Sequence, residues 1–231
     1  MNFKECPQIC IVSRTHNRPN FFRRMSESIK CQTYPYITHI VGYDNDYSFN
    51  YSLGYWCEKV EIKSKDKDTK LHPNLYFDLL YKHVGPNSWI VHLDDDCILL
   101  WEDSIQTIVN AIERCDEDTL ILWKVWLCQM QRSVPSFSFG DAPLLGDIDS
   151  NGFAFHSKHI DKSKLTGEPG GVFICIDNLF KTLPKTEWIN EALVSNQIGQ
   201  NYGYGEDKIK KHVQWIDVPA LKKKMKEKNG Y

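Results

Sequence analysis

The chain has 231 residues, 42% of them apolar and 25% charged, with 28 Lys and Arg against 30 Asp and Glu. That is the composition of a globular protein with enough length to bury a core, and it excludes collagen-like, coiled-coil and disordered chains. A net charge of −2 gives no overall basic footprint for nucleic acid, and no apolar run reaches the roughly 18–20 residues that span a bilayer.

The opening MNFKECPQIC has no apolar stretch of the secretory kind, so a cytoplasmic or membrane-peripheral setting is expected. Eight cysteines at wide, irregular spacings, with no C-x-x-C, read as reduced thiols. Cys6 and Cys10 with nearby His16 make half of a zinc pattern, but a second ligand pair at zinc spacing is missing. Small buried apolar side chains are the simpler reading of these thiols.

In chain order, residues 9–13 (ICIVS) form an apolar run that reads as a buried strand. A polar turn, 14–20, follows. Phe21, Phe22, Met25 and Ile29 then recur at helical spacing, and Pro35 is expected to stop that helix. Residues 38–42 (THIVG) and 59–62 are the next strands. Leu75, Leu79, Leu80 and Val84 mark a second helix, and 89–93 (WIVHL) a third clear strand. Ile105, Ile108, Val109 and Ile112 give another helix, and 120–127 (LILWKVWL) another strand. Strand and helix in alternation predict a parallel sheet covered on both faces. Ligands bind at the carboxyl ends of such strands, which directs attention to 13–19, 42–46 and 94–97. Residues 131–171 are rich in Gly, Pro, Ser and Asp, with interleaved aromatics, and read as substrate-facing loops. The lysine-rich tail 221–231 reads as a solvated end, or as a contact for an anionic ligand or membrane surface.

Asp94, Asp95 and Asp96 follow WIVHL directly. Adjacent carboxylates repel unless a cation neutralises them. Hard oxygen donors on a turn suit Mg²⁺ or Mn²⁺, and alternation along an extended chain lets Asp94 and Asp96 share a side. The competing reading is a solvated acidic turn before the helix that starts near Asp103.

Four segments together resemble the GT-A fold glycosyltransferases, inverting family 2. They are residues 9–35 (ICIVSRTHNRPNFFRRMSESIKCQTYP), HIVGYDN, WIVHLDDDCIL with its D-x-D, and GYGEDKIKKH. The resemblance implies an α/β, Rossmann-like fold with a mixed, mainly parallel sheet flanked by helices. It implies one domain, 1–231, with a nucleotide-binding half (1–100), an acceptor-binding half (101–220) and the basic tail. It implies a donor nucleotide, UDP favoured, beside Arg14, Thr15, His16, Asn17 and Arg18, with Asp44 accepting from the base. Asp94 and Asp95 would lie along the nucleotide, and Asp96, with Asp94, would hold Mn²⁺ or Mg²⁺ at the diphosphate. Lys70 or His72 would supply the basic residue that usually follows the third strand. Asp207, with Glu206 beside it, would be the general base on the acceptor hydroxyl of a glycan, lipid or protein.

Several further residues keep two readings. Asp149 and His156, in GDIDSNGFAFH, resemble acceptor-side loops, and His156 is either a second metal ligand or, in its more ordinary role, a structural histidine. Gly170 and Gly171 form either a turn at the donor sugar or an ordinary turn. Trp188 either stacks on an acceptor ring or sits in the core. Lys70 is either a phosphate ligand or a surface lysine. Glu206 and Asp207 are also suited to a helix N-terminus.

A sugar-phosphate nucleotidyltransferase would need a Gly-rich first loop, and SRTHNRP has no glycine. A non-catalytic nucleotide-sugar-binding module would have no use for Glu206 and Asp207. Neither G-x-x-x-x-G-K-[ST] nor G-x-S-x-G occurs.

Overall fold

The structure is a computed structural model and describes residues 6–62, 75–128, 130–136, 148–163 and 171–197, with 219, 220 and 223. The elements in order are β1 (Gln8–Thr15), α1 (Pro19–Lys30), β2 (Ile37–Tyr43), α2 (Asp46–Ser52), β3 (Glu58–Glu61), α3 (Leu75–Leu80), β4 (Ser88–His92) and β5 (Cys97–Leu99). They continue with α4 (Ser104–Ile112), β6 (Thr119–Leu127), β7 (Arg132–Val134), β8 (Phe153–His156), α5 (Gly171–Thr182) and β9 (Lys185–Asn196).

One nine-stranded sheet runs in the order β3-β2-β1-β4-β8-β6-β9-β5, with β7 beside β6. β1 lies parallel to β2 and β4, and β2 is parallel to β3. β8 is inserted antiparallel between β4 and β6, and β9 runs parallel to β6. The sheet is therefore mixed but mainly parallel.

The period-2 alternation of strands divides the core into two layers. Ile9 and Ile11 of β1, Trp89 and Val91 of β4, and Ile121 and Trp123 of β6 face one layer. Phe22, Met25 and Ile29 of α1 and Ile105, Ile108 and Val109 of α4 cover it. Cys10, Val12, Ile90, Leu120 and Leu122 face the other layer, under Phe77 and Leu80 of α3 and Cys175 and Leu179 of α5. Each fully buried side chain of this kind contributes about 1.5–3 kcal/mol.

The helices depart from expectation in instructive ways. α1 begins with Pro19 in its first turn, where proline's fixed φ suits a helix. It ends at Lys30, well before Pro35. The Gln32 side chain ends it by donating to Ser28 O (3.1 Å) and Trp101 O (2.8 Å) while accepting from Ile105 N (2.9 Å). One amide thus satisfies an end carbonyl of α1 and a first-turn N–H of α4. α3 is shorter than its leucine spacing suggests, passing into a 3-10 turn at Tyr81–His83. Its buried face is Tyr76, Phe77, Leu80 and Tyr81, while Leu79 and Val84 only border the core. α2 was not expected. Its cap is Asn45, whose side chain accepts from Ser48 N at 2.8 Å. No helix of the described residues is long and apolar enough to cross a membrane.

Candidate active site

The three polar segments that follow β1, β2 and β4 meet at the carboxyl edge of the sheet. Pairing carries on past the strands, with Leu93 N donating to Val12 O at 3.0 Å, so residue 94 emerges beside the β1–α1 loop. That loop turns at Asn17, whose φ of 53° is in the left-handed region that asparagine tolerates.

Each aspartate of the triplet has its own partners. Arg14 Nε donates to Asp94 Oδ1 at 2.8 Å, and its guanidinium lies 5.2 Å from the centre of the Phe77 ring. Arg18 Nη1 donates to Asp95 Oδ1 at 2.7 Å and lies 3.5 Å from Asp96 Oδ2. Thr15 Oγ1 donates to Asp95 Oδ2 at 2.8 Å and is 2.5 Å from the Tyr51 hydroxyl. Asp95 is the inward member, its side chain 3% exposed, against 13% for Asp94 and 18% for Asp96.

The backbone of the turn is tied down as well. Asp94 N donates to Asn151 Oδ1 at 2.7 Å. Gln197, at the end of β9, donates its backbone N–H to Asp96 O (2.6 Å) and its side-chain amide to Asp95 O (3.0 Å). Asn151 in turn binds Asp149, whose Oδ1 accepts from the backbone and side-chain nitrogens of Asn151, both at 2.9 Å. This turn packs against β6 through Gly152, where a Cβ would lie 3.1 Å from Trp123 O and 3.2 Å from Asp149 O.

Four carboxylates (Asp94, Asp95, Asp96 and Asp149) and two guanidiniums therefore share one corner. Burial pushes the Asp96 carboxyl up, and the charges of Asp94 and Asp95 push it further, to about 7. Burial also raises Asp95 and Asp149. Asp94 moves the other way, because the charge and hydrogen bond of Arg14, with Arg18 nearby, outweigh its burial. His92 beneath is stacked on Phe77 with ring centroids 4.2 Å apart, and burial pushes it down to about 3, so it stays neutral.

At the end of β2, Asp44 is partly buried. It accepts from His16 Nδ1 at 2.8 Å, from the Tyr76 hydroxyl at 2.7 Å and from Asn45 Nδ2 at 2.7 Å. Burial opposes its charge, but the bonds from His16 and Tyr76 prevail and hold it below the usual carboxylate range.

The structure thus gathers Arg14, Thr15, His16, Asn17, Arg18, Asp44, Asp94, Asp95, Asp96 and Asp149 at one edge. It does not bring His156 there. β8 runs antiparallel to β4, so His156 pairs with Trp89 at the start of β4, on the opposite edge. Its ring packs edge-on against Trp89 at 5.6 Å, with Glu117 at 3.8 Å. Trp188 is partly buried against the second core layer. Gly171 is the first residue of α5. Lys70, His72, Gly170, Glu206, Asp207 and most of the tail lie outside the described residues.

Sequence reasoning missed Tyr51, Tyr76, Asn151 and Gln197. Only Asn151, two residues after Asp149, carried a local signal.

Among the described residues, no three His, Cys, Asp or Glu side chains converge on one point as a closed metal site. Mg²⁺ and Mn²⁺ sites of nucleotide enzymes need only one or two carboxylates, the remaining ligands being phosphate oxygens and water. The all-oxygen donor set, with more negative charge than its own arginines neutralise, fits such an ion. Among the cysteines, Cys10, Cys97 and Cys175 are buried, and Cys6, the other half of the zinc pattern, is exposed.

No family model and no curated protein matches this sequence. Solved structures do. S. aureus TarS 1-349 in complex with UDP-GlcNAc superposes with a TM-score of 0.68 at 12% identity, covering 87% of this chain and 61% of that one. The mannosyltransferase PcManGT from Pyrobaculum calidifontis, in complex with GDP-Man and Mn²⁺, gives 0.60 at 11% identity, covering 86% and 59%. The chain spans about three-fifths of the length of these structures. The fold is the GT-A fold of the nucleotide-sugar glycosyltransferases, a curled, mainly parallel sheet with flanking helices.

Proposed function

We propose that the chain is a metal-dependent glycosyltransferase that moves a sugar from a nucleoside-diphosphate sugar, UDP-linked, to an acceptor hydroxyl with inversion. The observation that carries this reading is the convergence of Asp44, Arg14, Arg18 and Asp94–Asp96 at the carboxyl edge of a GT-A sheet. Both ligand-bound structures of the same fold hold nucleotide sugars, one of them with Mn²⁺. UDP is favoured by the resemblance of HIVGYDN to the strand whose terminal Asp meets the base in uridine-binding members.

Asp44, kept ionised by His16 and Tyr76, accepts from the base N–H. Asp94, oriented by Arg14 and Asn151, faces the ribose. Asp95 has both oxygens engaged by Arg18 and Thr15, so it acts by fixing the loop that carries His16 and Asn17. Asp96, with Asp94, would hold the divalent ion. Bound there, the ion supplies Lewis-acid neutralisation of the departing diphosphate. Arg14 and Arg18 add fixed positive charge near the same group. Asp207, with Glu206 as neighbour, takes the proton from the acceptor hydroxyl. One base on the face opposite the leaving group gives direct displacement and inversion.

The test is a panel of UDP-, GDP- and dTDP-sugars with and without Mn²⁺, read first as a thermal shift and then as donor hydrolysis. A UDP-sugar should raise the melting temperature only when Mn²⁺ is present. If no nucleotide sugar shifts it under either condition, the reading is wrong.

A further inference from the structure

β9 ends at Asn196, which pairs with Cys97 of β5, and the next residue, Gln197, meets the turn that carries the aspartate triplet. Gln197 is fully buried. Its backbone N–H donates to Asp96 O at 2.6 Å. Its side-chain Nε2 lies 3.0 Å from Asp95 O, 3.0 Å from Phe21 O and 3.4 Å from Cys97 O. Phe21 belongs to α1, so one residue joins that helix, the end of β9 and the backbone of residues 95–97. The carbonyls around Nε2 also fix which end of the amide is which, since a turned amide would set Oε1 against acceptors. Oε1 has no hydrogen-bond partner among the described residues. The side chain therefore acts on the turn through its donors.

Gln197 and Arg18 hold the same turn in different ways. Arg18 grips carboxylates, at 2.7 Å from Asp95 Oδ1 and 3.5 Å from Asp96 Oδ2. Gln197 grips the peptide carbonyls of Asp95 and Asp96 and touches neither carboxylate among its hydrogen bonds. A cation arriving at Asp96 competes with Arg18 for the carboxylate oxygens, but it leaves the bonds from Gln197 untouched. Those bonds hold the Asp96 main chain in place with or without an ion. An amide does this without charge, whereas a lysine or arginine in its place would repel the ion.

We propose that Gln197 is a positioning residue for the divalent ion, acting through the backbone of Asp95 and Asp96 to set where the Asp96 carboxylate stands. The inference rests on the glycosyltransferase reading in placing the ion at Asp96. It adds a residue from the end of β9, on the far side of the chain from the triplet in sequence, to the determinants of metal affinity.

The full chain is measured as wild type, Gln197→Met and Leu179→Ala. Gln197→Met keeps the length of the side chain and removes its donors. Leu179→Ala, in the core under α5, destabilises by leaving a cavity and shows what lost stability does by itself. Mn²⁺ with UDP is titrated by calorimetry and by the paramagnetic resonance of Mn²⁺, and uridine alone by saturation-transfer NMR. Gln197→Met should weaken Mn²⁺–UDP binding about 10- to 100-fold, the usual worth of a group that holds a metal ligand in place. Its uridine affinity should stay within about twofold of wild type, since uridine has no diphosphate for the ion. Leu179→Ala should lower the melting temperature and keep both affinities. The proposal is overturned if Gln197→Met binds Mn²⁺–UDP as well as the wild type does. It is also overturned if uridine and Mn²⁺–UDP weaken equally, which would make Gln197 a structural support of the whole corner. Should Gln197→Met not fold, Gln197→Asn, which draws the amide back by one methylene, is held to the same outcomes. A wild type that binds no Mn²⁺ with UDP sinks the metal assignment and this inference together. A wild type whose Mn²⁺–UDP binding is lost in Asp96→Asn but kept in Gln197→Met sinks this inference alone.

Discussion

Asp96 is where the electrostatics of the corner concentrate. Its carboxyl titrates at about 7 in the folded chain, against an ordinary value of 3.8. A group raised in this way binds more protons folded than unfolded, so its contribution to stability is complete below about 4 and is lost as pH rises through about 7. The metal-free protein should therefore lose stability between pH 5 and pH 8, and Asp96→Asn should flatten that slope in urea melts. The sign reverses for the ion, which needs the carboxylate deprotonated. Mn²⁺-dependent UDP affinity should rise with pH to a plateau just above 7. A wild-type melt that is flat over this range, or metal affinity that falls with pH, would remove Asp96 from the metal site. Asp44 is a second single-residue test. Losing a charged hydrogen-bond acceptor costs about 1.5–3 kcal/mol, so Asp44→Ala should weaken UDP roughly 10- to 150-fold in a calorimetric titration. Unchanged affinity would take the base contact away from it.

At the scale of elements, what could be read in the sequence followed one rule. Strands β1, β2, β4 and β6 are short apolar runs because both of their faces are covered, and each was recognisable on its own. The chemistry placed directly after them was recognisable too, since Asp44 and Asp94–Asp96 follow their strands immediately. What stayed hidden depends on contacts between distant segments. β9 interrupts its pattern with Glu187, Asn190 and Glu191, and its pairing with β6 shifts register between Trp123 and Val125. β8 is a four-residue strand whose direction reverses the position expected for His156. Gln197 reaches the Asp triplet only because β9 ends there. Arg18 shows the same lesson in energetic form. In sequence it is one cation of a nucleotide loop, whereas the structure makes it the clamp between that loop and the turn after β4. Arg18→Met should strand Asp95 as a buried charge and destabilise the protein by about 3–5 kcal/mol at neutral pH. Unfolding by urea measures this, and a loss of nucleotide affinity with stability intact would return Arg18 to a purely ligand-binding role.

At the scale of the whole molecule, one sheet runs through strands from both sides of residue 100, because β8 and β6 extend the pairing from β4. On the proposed function, donor recognition would be concentrated in Arg14, Asp44 and the Asp triplet, all before residue 100. On the same proposal, removal of the acceptor proton would fall to Asp207, within the Gly-aromatic-Gly-Glu-Asp segment. This separation makes the two functions separable by mutation. Asn replaces a carboxylate with an amide of nearly the same shape that cannot take a proton at neutral pH. Asp207→Asn should therefore keep Mn²⁺–UDP affinity within about twofold while transfer falls about 10²- to 10⁴-fold, the usual worth of a positioned base. Calorimetry reads the first quantity and a radiolabelled transfer assay the second. If transfer persists in Asp207→Asn and disappears in Glu206→Gln, the base is the neighbouring carboxylate. If both variants lose UDP affinity along with transfer, the segment belongs to the donor site, and the proton must leave by another route.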